Sequence, residues 1–209
     1  MLRLRLDANR FQDEDLLPAV SAIRAGGIVA FPTDTLYGLG ADPRSSSAVS
    51  RLFLSKQRPL DRPIPLVAAS IEQVRDSVGT LTPLGQRLAV QFWPGPLTLI
   101  IPAAAGLCRD IHLGTGKVAV RVPDHAVARA LARAVGHALT STSANVSGGE
   151  APATPDDVAA ALGDAIDVLL DAGPAPGGPP STIVDVTGHE PVLVRAGAIP
   201  WDRVLKFCH

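Results

Sequence analysis

The chain has 209 residues, 46% of them hydrophobic, which is enough for one sizeable core and too few for two independent ones. Nineteen Lys and Arg against twenty Asp and Glu give a net charge of -1, which argues against a wholly basic nucleic-acid-binding surface. Two cysteines, Cys108 and Cys208, are too few for a disulfide framework. No stretch has the pattern of a signal peptide or a membrane span, so we expect a cytoplasmic protein without a membrane partner.

The first third of the chain alternates strand and helix signals. Apolar residues at every second position of 2–6 predict a strand with one exposed face. An acidic first turn and a Gly-Gly stop predict a helix over 13–27, followed by a short buried strand at 28–31. A serine start and helical apolar spacing predict another helix over 45–58.

The same signals predict the later elements. Strands are expected over 62–70, 96–103, 117–123 and the end of 154–173, and the stretch 137–148 is expected to begin as a strand and open into a Ser/Thr/Asn loop. Helices are expected over 71–78, 81–95, 124–136 and the start of 154–173, and a hairpin-like pair over 181–188 and 191–197. The alternation predicts an α/β protein, and the hairpin-like pair predicts that its sheet is mixed. The Pro- and Gly-rich stretch 171–182 is predicted to be a mobile loop within a single domain spanning 1–209.

Polar residues follow the strand at 28–31 in the decamer "FPTDTLYGLG", residues 31–40. Pro32 removes a backbone donor and ends the strand, and three short polar side chains follow it. Alone, this pattern fits an Asx-type turn as well as a ligand site. The next segment, "SKQRPLDRP", carries three cations that either complement a helix C-terminus or bind a polyphosphate.

Two further segments offer ligand-binding groups. "TSTSANVSGG", residues 140–149, combines five hydroxyls, an amide and two glycines, which suits a phosphate, a ribose or an amino-acid head group, although a surface loop has a similar composition. No P-loop pattern is present. Ser181 and Arg195 lie near the hairpin-like pair. The five histidines form no triad pattern with a serine or cysteine, and no metal-ligand cluster is visible in the sequence.

These segments together resemble one family. "GGIVAFPTDTLYGLGAD", "LSKQRPLDRP", "FWPGPLTLII", "VAVRVPDH", "TSTSANVSG", "STIVDVTG" and "LVRAGAI" occur in the order and spacing of the YrdC/Sua5 family of threonylcarbamoyl-AMP synthases. The resemblance covers residues 20 to 200 and implies a YrdC-like three-layer fold, with a twisted mixed sheet flanked by helices. It also implies the short form, without the C-terminal domain of the longer relatives.

The resemblance implies that L-threonine, bicarbonate or CO2, and ATP react to give threonylcarbamoyl-AMP and pyrophosphate. The product would serve the threonylcarbamoyl modification of adenosine 37 in tRNA, through a transfer machinery that is a partner of the enzyme. Weak direct tRNA binding is also implied. Mg2+ would be carried by the ATP phosphates, because no dedicated acidic cage is visible.

Family motifs assign roles to individual residues. The threonine-binding set is Thr33, Tyr37, Arg121, Ser141 and Ser181. The ATP-binding set is Lys56, Arg58, Lys117, Ser143, Asn145 and Arg195, of which Lys56 and Arg58 are also the expected catalytic pair. One departure is Val67-Ala68, where many relatives carry a histidine that touches threonine.

Two alternatives remain open from the sequence. A related domain in hydrogenase maturation proteins forms carbamoyl-adenylate from carbamoyl phosphate and ATP, but within a much longer chain. The other alternative is an RNA-binding module without synthase activity. The near-neutral charge predicts that such binding would be weak and salt-sensitive.

Overall fold

A computed structural model describes residues 1–57 and 62–208, and its strands form two mixed β-sheets. The strands are β1 (Leu2–Arg5), β2 (Val29–Phe31), β3 (Gly38–Gly40), β4 (Leu66–Val67), β5 (Leu97–Pro102), β6 (Lys117–Arg121), β7 (Leu139–Thr140), β8 (Thr142–Ser143), β9 (Val168–Asp171), β10 (Thr182–Asp185) and β11 (Val192–Arg195). The α/β class and the mixed pairing predicted from the sequence are confirmed, but the strands are divided between two sheets.

The helices are α1 (Leu17–Arg24), α2 (Ser46–Ser55), α3 (Ile71–Ser77), α4 (Pro83–Phe92), α5 (Arg109–His112), α6 (Ala126–Val135), α7 (Pro155–Leu162) and α8 (Trp201–Leu205). Four of them begin after a Ser or Thr whose hydroxyl accepts a hydrogen bond from a backbone N–H in the first turn; these residues are Ser45, Ser70, Thr82 and Thr154. Each cap of this kind contributes about 1 kcal/mol. The helix predicted over 13–27 is divided, because a 3-10 turn at Asp13–Leu16 precedes α1.

The five-stranded sheet has the order β1-β9-β2-β3-β8, and the six-stranded sheet has the order β11-β10-β5-β6-β4-β7. In the six-stranded sheet, β10 and β5 are parallel, whereas β11 and β6 run antiparallel to them. The first residues of β5 and β10 therefore lie beside the last residues of β6 and β11, at one end of the strands.

Ser141 is the point at which the chain passes from one sheet to the other. The preceding strand β7 pairs with β4 in the six-stranded sheet, and the following strand β8 pairs with β3 in the five-stranded sheet. The Ser141 N–H donates to the carbonyl oxygen of Pro65 at 2.7 Å. The polar segment 140–149 consequently begins at the junction of the two sheets.

Strand β3 was not predicted, because two of its three residues are glycines. The structure shows why they are needed: a Cβ on Gly40 would lie 2.9 Å from the ring of Phe31, and a Cβ on Gly38 would lie 3.0 Å from the Ser141 hydroxyl. The absence of side chains lets Phe31 lie flat against the strand, at the known cost of glycine in a strand interior.

Two clusters of buried apolar residues cover opposite faces of the six-stranded sheet. Leu66 and Leu97 belong to the larger cluster, and Val67, the neighbour of Leu66 on β4, belongs to the smaller one. Successive strand residues point to opposite faces, so both faces of the sheet are buried at β4. In the part of the chain that the structure describes, no helix has the length and apolar character needed to cross a membrane.

Candidate active site

A cavity of about 310 Å³ opens between the two sheets. The five-stranded sheet contributes Gly38 and the β8 residues Thr142 and Ser143, and the six-stranded sheet contributes side chains from five of its strands. The turn 33–37 and the end of the 172–181 loop form further walls. The ligand site therefore requires both sheets in their correct relative position.

Five cavity-lining side chains form one row across the six-stranded sheet. Ile183 of β10 is in register with Arg195 on one side and with Thr98 on the other. The β5–β6 register places Thr98 opposite Arg121, which in turn is in register with Val67. Residues in register share a face, and three inter-strand spacings separate the strand ends that carry the two arginines by about 14 Å.

Arg121, next to the Val67 end of this row, is held by polar groups of the turn 33–37. Its Nη1 donates to Asp34 Oδ1 at 2.9 Å, and its Nη2 donates to the hydroxyls of Thr33 at 3.0 Å and Thr35 at 3.1 Å. Burial lowers the pKa of the Arg121 guanidinium, and the charge of Asp34 opposes that effect. The guanidinium remains charged, since arginine does not lose its proton in proteins.

Arg195 is held at the other end by Ser181. Its Nη2 donates to the Ser181 carbonyl oxygen at 2.7 Å and to the Ser181 hydroxyl at 3.1 Å. Burial lowers the pKa of the Arg195 guanidinium, and the positive charge of Arg121 lowers it further. The two arginines therefore repel each other across the cavity, and an anion between them would relieve that repulsion.

Thr33 forms a local turn with its own hydroxyl. The hydroxyl donates to the Leu36 carbonyl oxygen at 2.7 Å and accepts from the Thr35 and Leu36 backbone N–H groups. Together with the contact from Arg121, this network holds the turn that follows the end of β2 at Phe31. Thr33 lines the cavity as predicted. A ligand that accepted a hydrogen bond from the Thr33 hydroxyl would displace its bond to the Leu36 carbonyl oxygen.

Lys56 is fully buried beneath the segment 140–149. Its Nζ donates to the carbonyl oxygen of Asn145 at 2.5 Å and to that of Ser143. The Ser147 N–H returns a hydrogen bond to the Lys56 carbonyl oxygen at 2.8 Å. Lys56 is not one of the described cavity-lining residues, and in this structure it shapes the loop that carries Ser143.

Asn145 is turned into the same loop. Its side-chain Nδ2 donates to the carbonyl oxygens of Val146 at 2.8 Å and Gly149 at 2.7 Å. Its Oδ1 and the hydroxyl of Ser147 are buried without a hydrogen-bond partner among the described residues. Buried polar atoms are rarely left unsatisfied, so these two oxygens are the acceptors in this loop that a ligand donor or a water could still reach.

Tyr37 connects the turn 33–37 to the 172–181 loop. Its hydroxyl donates to the Gly173 carbonyl oxygen at 2.7 Å, and burial raises its pKa to about 12. The loop is also held by Gly177, whose N–H donates to the Thr35 carbonyl oxygen at 2.8 Å. The stretch predicted to be a mobile loop is thus fastened to the cavity wall, and Tyr37 supplies one of the bonds.

The structure brings most of the predicted site residues together. Those that line the cavity are Thr33, Tyr37, Arg121, Ser141, Ser143, Ser181 and Arg195. Lys56 and Asn145 lie against it through the 140–149 loop. Arg58 lies outside the described residues, so its predicted role is not addressed by the structure.

Lys117 is the exception, and its predicted place beside the nucleotide is not supported by the structure. It begins β6, whereas Arg121 ends that strand, and four residues of extended chain span about 13 Å. Its Nζ forms an exposed ion pair with Asp185 at 3.0 Å, at the opposite end of the strands from the cavity. The motif fixed the strand correctly, but the direction of β6 carries Lys117 away from the cavity.

Two residues of the site were missed from the sequence. Asp34 was noted only as a turn residue, although it is the ion-pair partner of Arg121. Thr98 was counted as part of a buried strand, although its hydroxyl lies 2.7 Å from that of Ser181 in the cavity. A single hydroxyl within "PLTLIIPA" was the available signal, because an apolar strand otherwise has no reason to bury one.

This fold places two guanidinium groups at one cavity, the charge expected of a site for an anionic small molecule. The sequence profile of the Sua5/YciO/YrdC family, described as telomere recombination, matches residues 21–197. The chain belongs to this family.

Individual relatives differ in length. The threonylcarbamoyl-AMP synthase of Pyrococcus abyssi is 38% identical over 197 residues, which are 94% of this chain and 58% of that protein. The threonylcarbamoyl-AMP synthase of Idiomarina loihiensis is 40% identical over 174 residues, which are 82% of this chain and 93% of that protein. The chain therefore spans little more than half of the first relative and nearly all of the second.

Among solved structures, P. abyssi Sua5 in complex with L-threonine superposes with a TM-score of 0.91 at 36% identity. The match covers 99% of this chain and 60% of that one. The bound amino acid is a property of that protein. The superposition shows that the present fold is shared with it over essentially the whole chain.

Proposed function

We propose that this protein is a threonylcarbamoyl-AMP synthase. It would convert L-threonine, bicarbonate or CO2, and ATP into L-threonylcarbamoyladenylate and pyrophosphate. The observation that carries the proposal is the row in which Arg121 and Arg195 occupy two ends of one cavity. The names of the relatives support the same reaction.

The charge of the cavity suits this pair of ligands. Two guanidiniums face it, and Asp34, which pairs with Arg121, does not itself line the cavity among the described residues. The carboxylate of threonine and the phosphates of ATP are anions that repel each other in water. Arg121 would bind the carboxylate, and Arg195 would bind a phosphate, because a guanidinium matches both groups with paired hydrogen bonds.

The chemical step would then depend on orientation. The threonine amine captures CO2 as a carbamate, and a carbamate oxygen attacks the α-phosphorus of ATP as pyrophosphate leaves. No enzyme nucleophile takes part. Holding the two partners in line can contribute about 7–11 kcal/mol. Hydrogen-bond donors arranged around the reacting phosphoryl group would add to this.

Mg2+ would accompany ATP. Among the described residues, no group of three or more acidic, histidine or cysteine side chains could hold a metal, and the cavity wall offers neutral hydroxyl oxygens. The triphosphate would therefore provide most of the ligands of the ion, which would neutralise charge on the leaving pyrophosphate.

The product adenylate would pass to the machinery that modifies adenosine 37 of tRNA, and the reaction would take place in the cytoplasm. Direct tRNA binding would be weak, because acidic and basic residues are balanced.

The test is release of pyrophosphate from ATP by the purified protein, with threonine and bicarbonate supplied or omitted in turn. We expect release only when both are present, with threonylcarbamoyl-AMP formed in equal amount. Release that ignores threonine but requires carbamoyl phosphate would instead identify a carbamoyl-adenylate enzyme. No release under any condition, together with salt-sensitive RNA binding, would identify an RNA-binding module.

A further inference from the structure

Thr98 lies at the centre of the row that joins the two arginines. It is next to Arg121 across one inter-strand spacing, and Arg195 lies two spacings away on the other side. Its side chain is buried in a strand that is otherwise apolar where it faces the core, yet it lines the cavity. A buried hydroxyl needs a partner, and here the partner is the hydroxyl of Ser181 at 2.7 Å.

The hydrogen bonds of this pair leave one proton for a ligand. The Ser181 hydroxyl already accepts a hydrogen bond from Arg195 Nη2. The two hydroxyls carry two protons, and one of them fills the bond between Ser181 and Thr98. Neither hydroxyl has a further hydrogen-bond partner among the described residues, so the other proton can be donated into the cavity whichever hydroxyl keeps it.

The direction in which that O–H bond points depends on Thr98. The O–H bond of a serine rotates freely about the Cβ–Oγ bond. The hydrogen bond from Arg195 occupies a lone pair of the Ser181 oxygen but does not choose the acceptor to which the Ser181 proton points. The bond to Thr98 fixes the remaining orientation. The ligand group that this donor meets lies between the two guanidiniums, because Thr98 is next to Arg121 in the sheet and the Ser181 hydroxyl contacts Arg195 Nη2.

We propose that Thr98 is a positioning residue for the amino-acid substrate: through its hydrogen bond it orients the Ser181 hydroxyl, so that the pair donates one hydrogen bond to that substrate between Arg121 and Arg195. The assignment rests on the proposed function, since it takes the amino-acid ligand from there. Thr98 would act mainly on binding, because the hydrogen bond is made before the chemical step and persists through it.

The experiment compares Thr98→Val with the wild-type protein in threonine-dependent pyrophosphate release. Valine keeps the shape of threonine and removes its hydroxyl. We expect KM for threonine to rise about tenfold, while kcat and KM for ATP change by less than about twofold. Thr98→Ser, which restores the hydroxyl, should return KM to within about twofold of the wild-type value.

Thr182→Val is the matched control. Thr182 is a buried threonine at the start of the neighbouring strand, but its hydroxyl bonds to the backbone of Ile199 and it does not line the cavity among the described residues. It should lower the melting temperature without raising KM for threonine. The double variant Thr98→Val/Ser181→Ala should bind threonine no more weakly than Ser181→Ala alone, because both changes remove one shared donor.

The outcomes separate the two proposals. A wild-type protein that releases no pyrophosphate with threonine overturns the proposed function. An active wild-type protein whose Thr98→Val variant keeps its KM for threonine, or shares the behaviour of Thr182→Val, overturns the role of Thr98 alone. Strictly additive effects of the Thr98 and Ser181 changes would also overturn it. If Thr98→Val does not fold, Thr98→Ala provides the same comparison.

Discussion

Arg121 and Asp34 form an ion pair of 2.9 Å in which each side chain is about nine-tenths buried. The second carboxylate oxygen of Asp34 is buried without a hydrogen-bond partner among the described residues. The pair therefore places the Arg121 guanidinium in a fixed position at the cavity, while the Asp34 carboxylate does not line the cavity among the described residues. Such an arrangement leaves the guanidinium oriented but incompletely neutralised, which is the condition for binding an external anion.

Replacing Asp34 by Asn should destabilise the folded protein. The change leaves a buried guanidinium without its counter-ion, which costs about 3 kcal/mol and should lower the melting temperature by roughly 6–12 °C for a chain of this size. Saturating threonine should recover part of the loss, because its carboxylate supplies a substitute charge. Thermal melts with and without threonine test this. Asp156→Asn, which removes the exposed partner of Arg3, is the control and should melt close to the wild type.

The two arginines should affect different substrates. Arg121→Ala should raise KM for threonine about 10- to 100-fold, and Arg195→Ala should do the same for ATP, because each removes charge-assisted hydrogen bonds. Steady-state kinetics with one substrate varied at a time measure the split. Equal effects of either change on both substrates would contradict the assignment of the two ends of the cavity.

Lys56→Met should reduce kcat by about 100-fold, the effect of losing one arranged donor. The structure adds a second expectation, because the ammonium also holds the carbonyl oxygens of Ser143 and Asn145. Backbone hydrogen exchange over 143–147 should therefore become faster in the variant. Lys206→Met, a change at an exposed residue, should alter neither quantity. Loss of activity with unchanged exchange would show that the ammonium acts on the ligand and not on the loop.

Tyr37 is the only tyrosine of the chain, so its ionisation can be followed by ultraviolet absorbance without other signals. Burial raises its pKa to about 12, from about 10 in an unfolded chain. The raised value favours the protonated form in the folded state, so its contribution to stability is complete below pH 10 and is lost as the pH rises towards 12. We expect little tyrosinate at about pH 10.5 in buffer and a majority of it in urea. Equal titration in both would show an exposed hydroxyl.

The 172–181 loop should respond to substrates. Three hydrogen bonds hold its first half, from Tyr37 to Gly173, from Ala175 to Ala153 and from Gly177 to Thr35. If it closes over occupied substrates and shields the adenylate from water, ATP and threonine at ten times their dissociation constants should slow its cleavage by proteinase K about tenfold. Cleavage at an unchanged rate would argue against a closing movement. Tyr37→Phe should speed cleavage of the free protein, because one of the three bonds is lost.

Much of the secondary structure could be predicted because its signals are local. The serine start of α2 and the glycine stop of α6 are read within a few residues, and the structure confirms them. Strand β3 had no such signal, since Gly38 makes room for the Ser141 hydroxyl and Gly40 for the Phe31 ring. The division into two sheets could not be predicted either, because it depends on which distant strands pair on each side of Ser141.

The site was predicted in the same uneven way. Residues at strand ends, such as Arg121 and Arg195, could be assigned to one cavity because family motifs and strand order agree. Thr98 was missed because its importance comes from a neighbour 83 residues away along the chain. The position of Lys117 outside the cavity could not be foreseen, because a motif gives residue identity but not the direction in which a strand runs through the sheet.

The register of the six-stranded sheet has a consequence for how substrate range can change. The distance between the bases of Arg121 and Arg195 is set by backbone hydrogen bonds across β6, β5, β10 and β11, not by side chains. Point substitutions of cavity-lining residues can therefore change the affinity for a substrate. They do not change the distance between the two arginines, which the charged ends of the substrate have to match. A family member that binds much shorter or longer substrates would need a different strand order, or a shift in strand register that turns one arginine to the other face of the sheet.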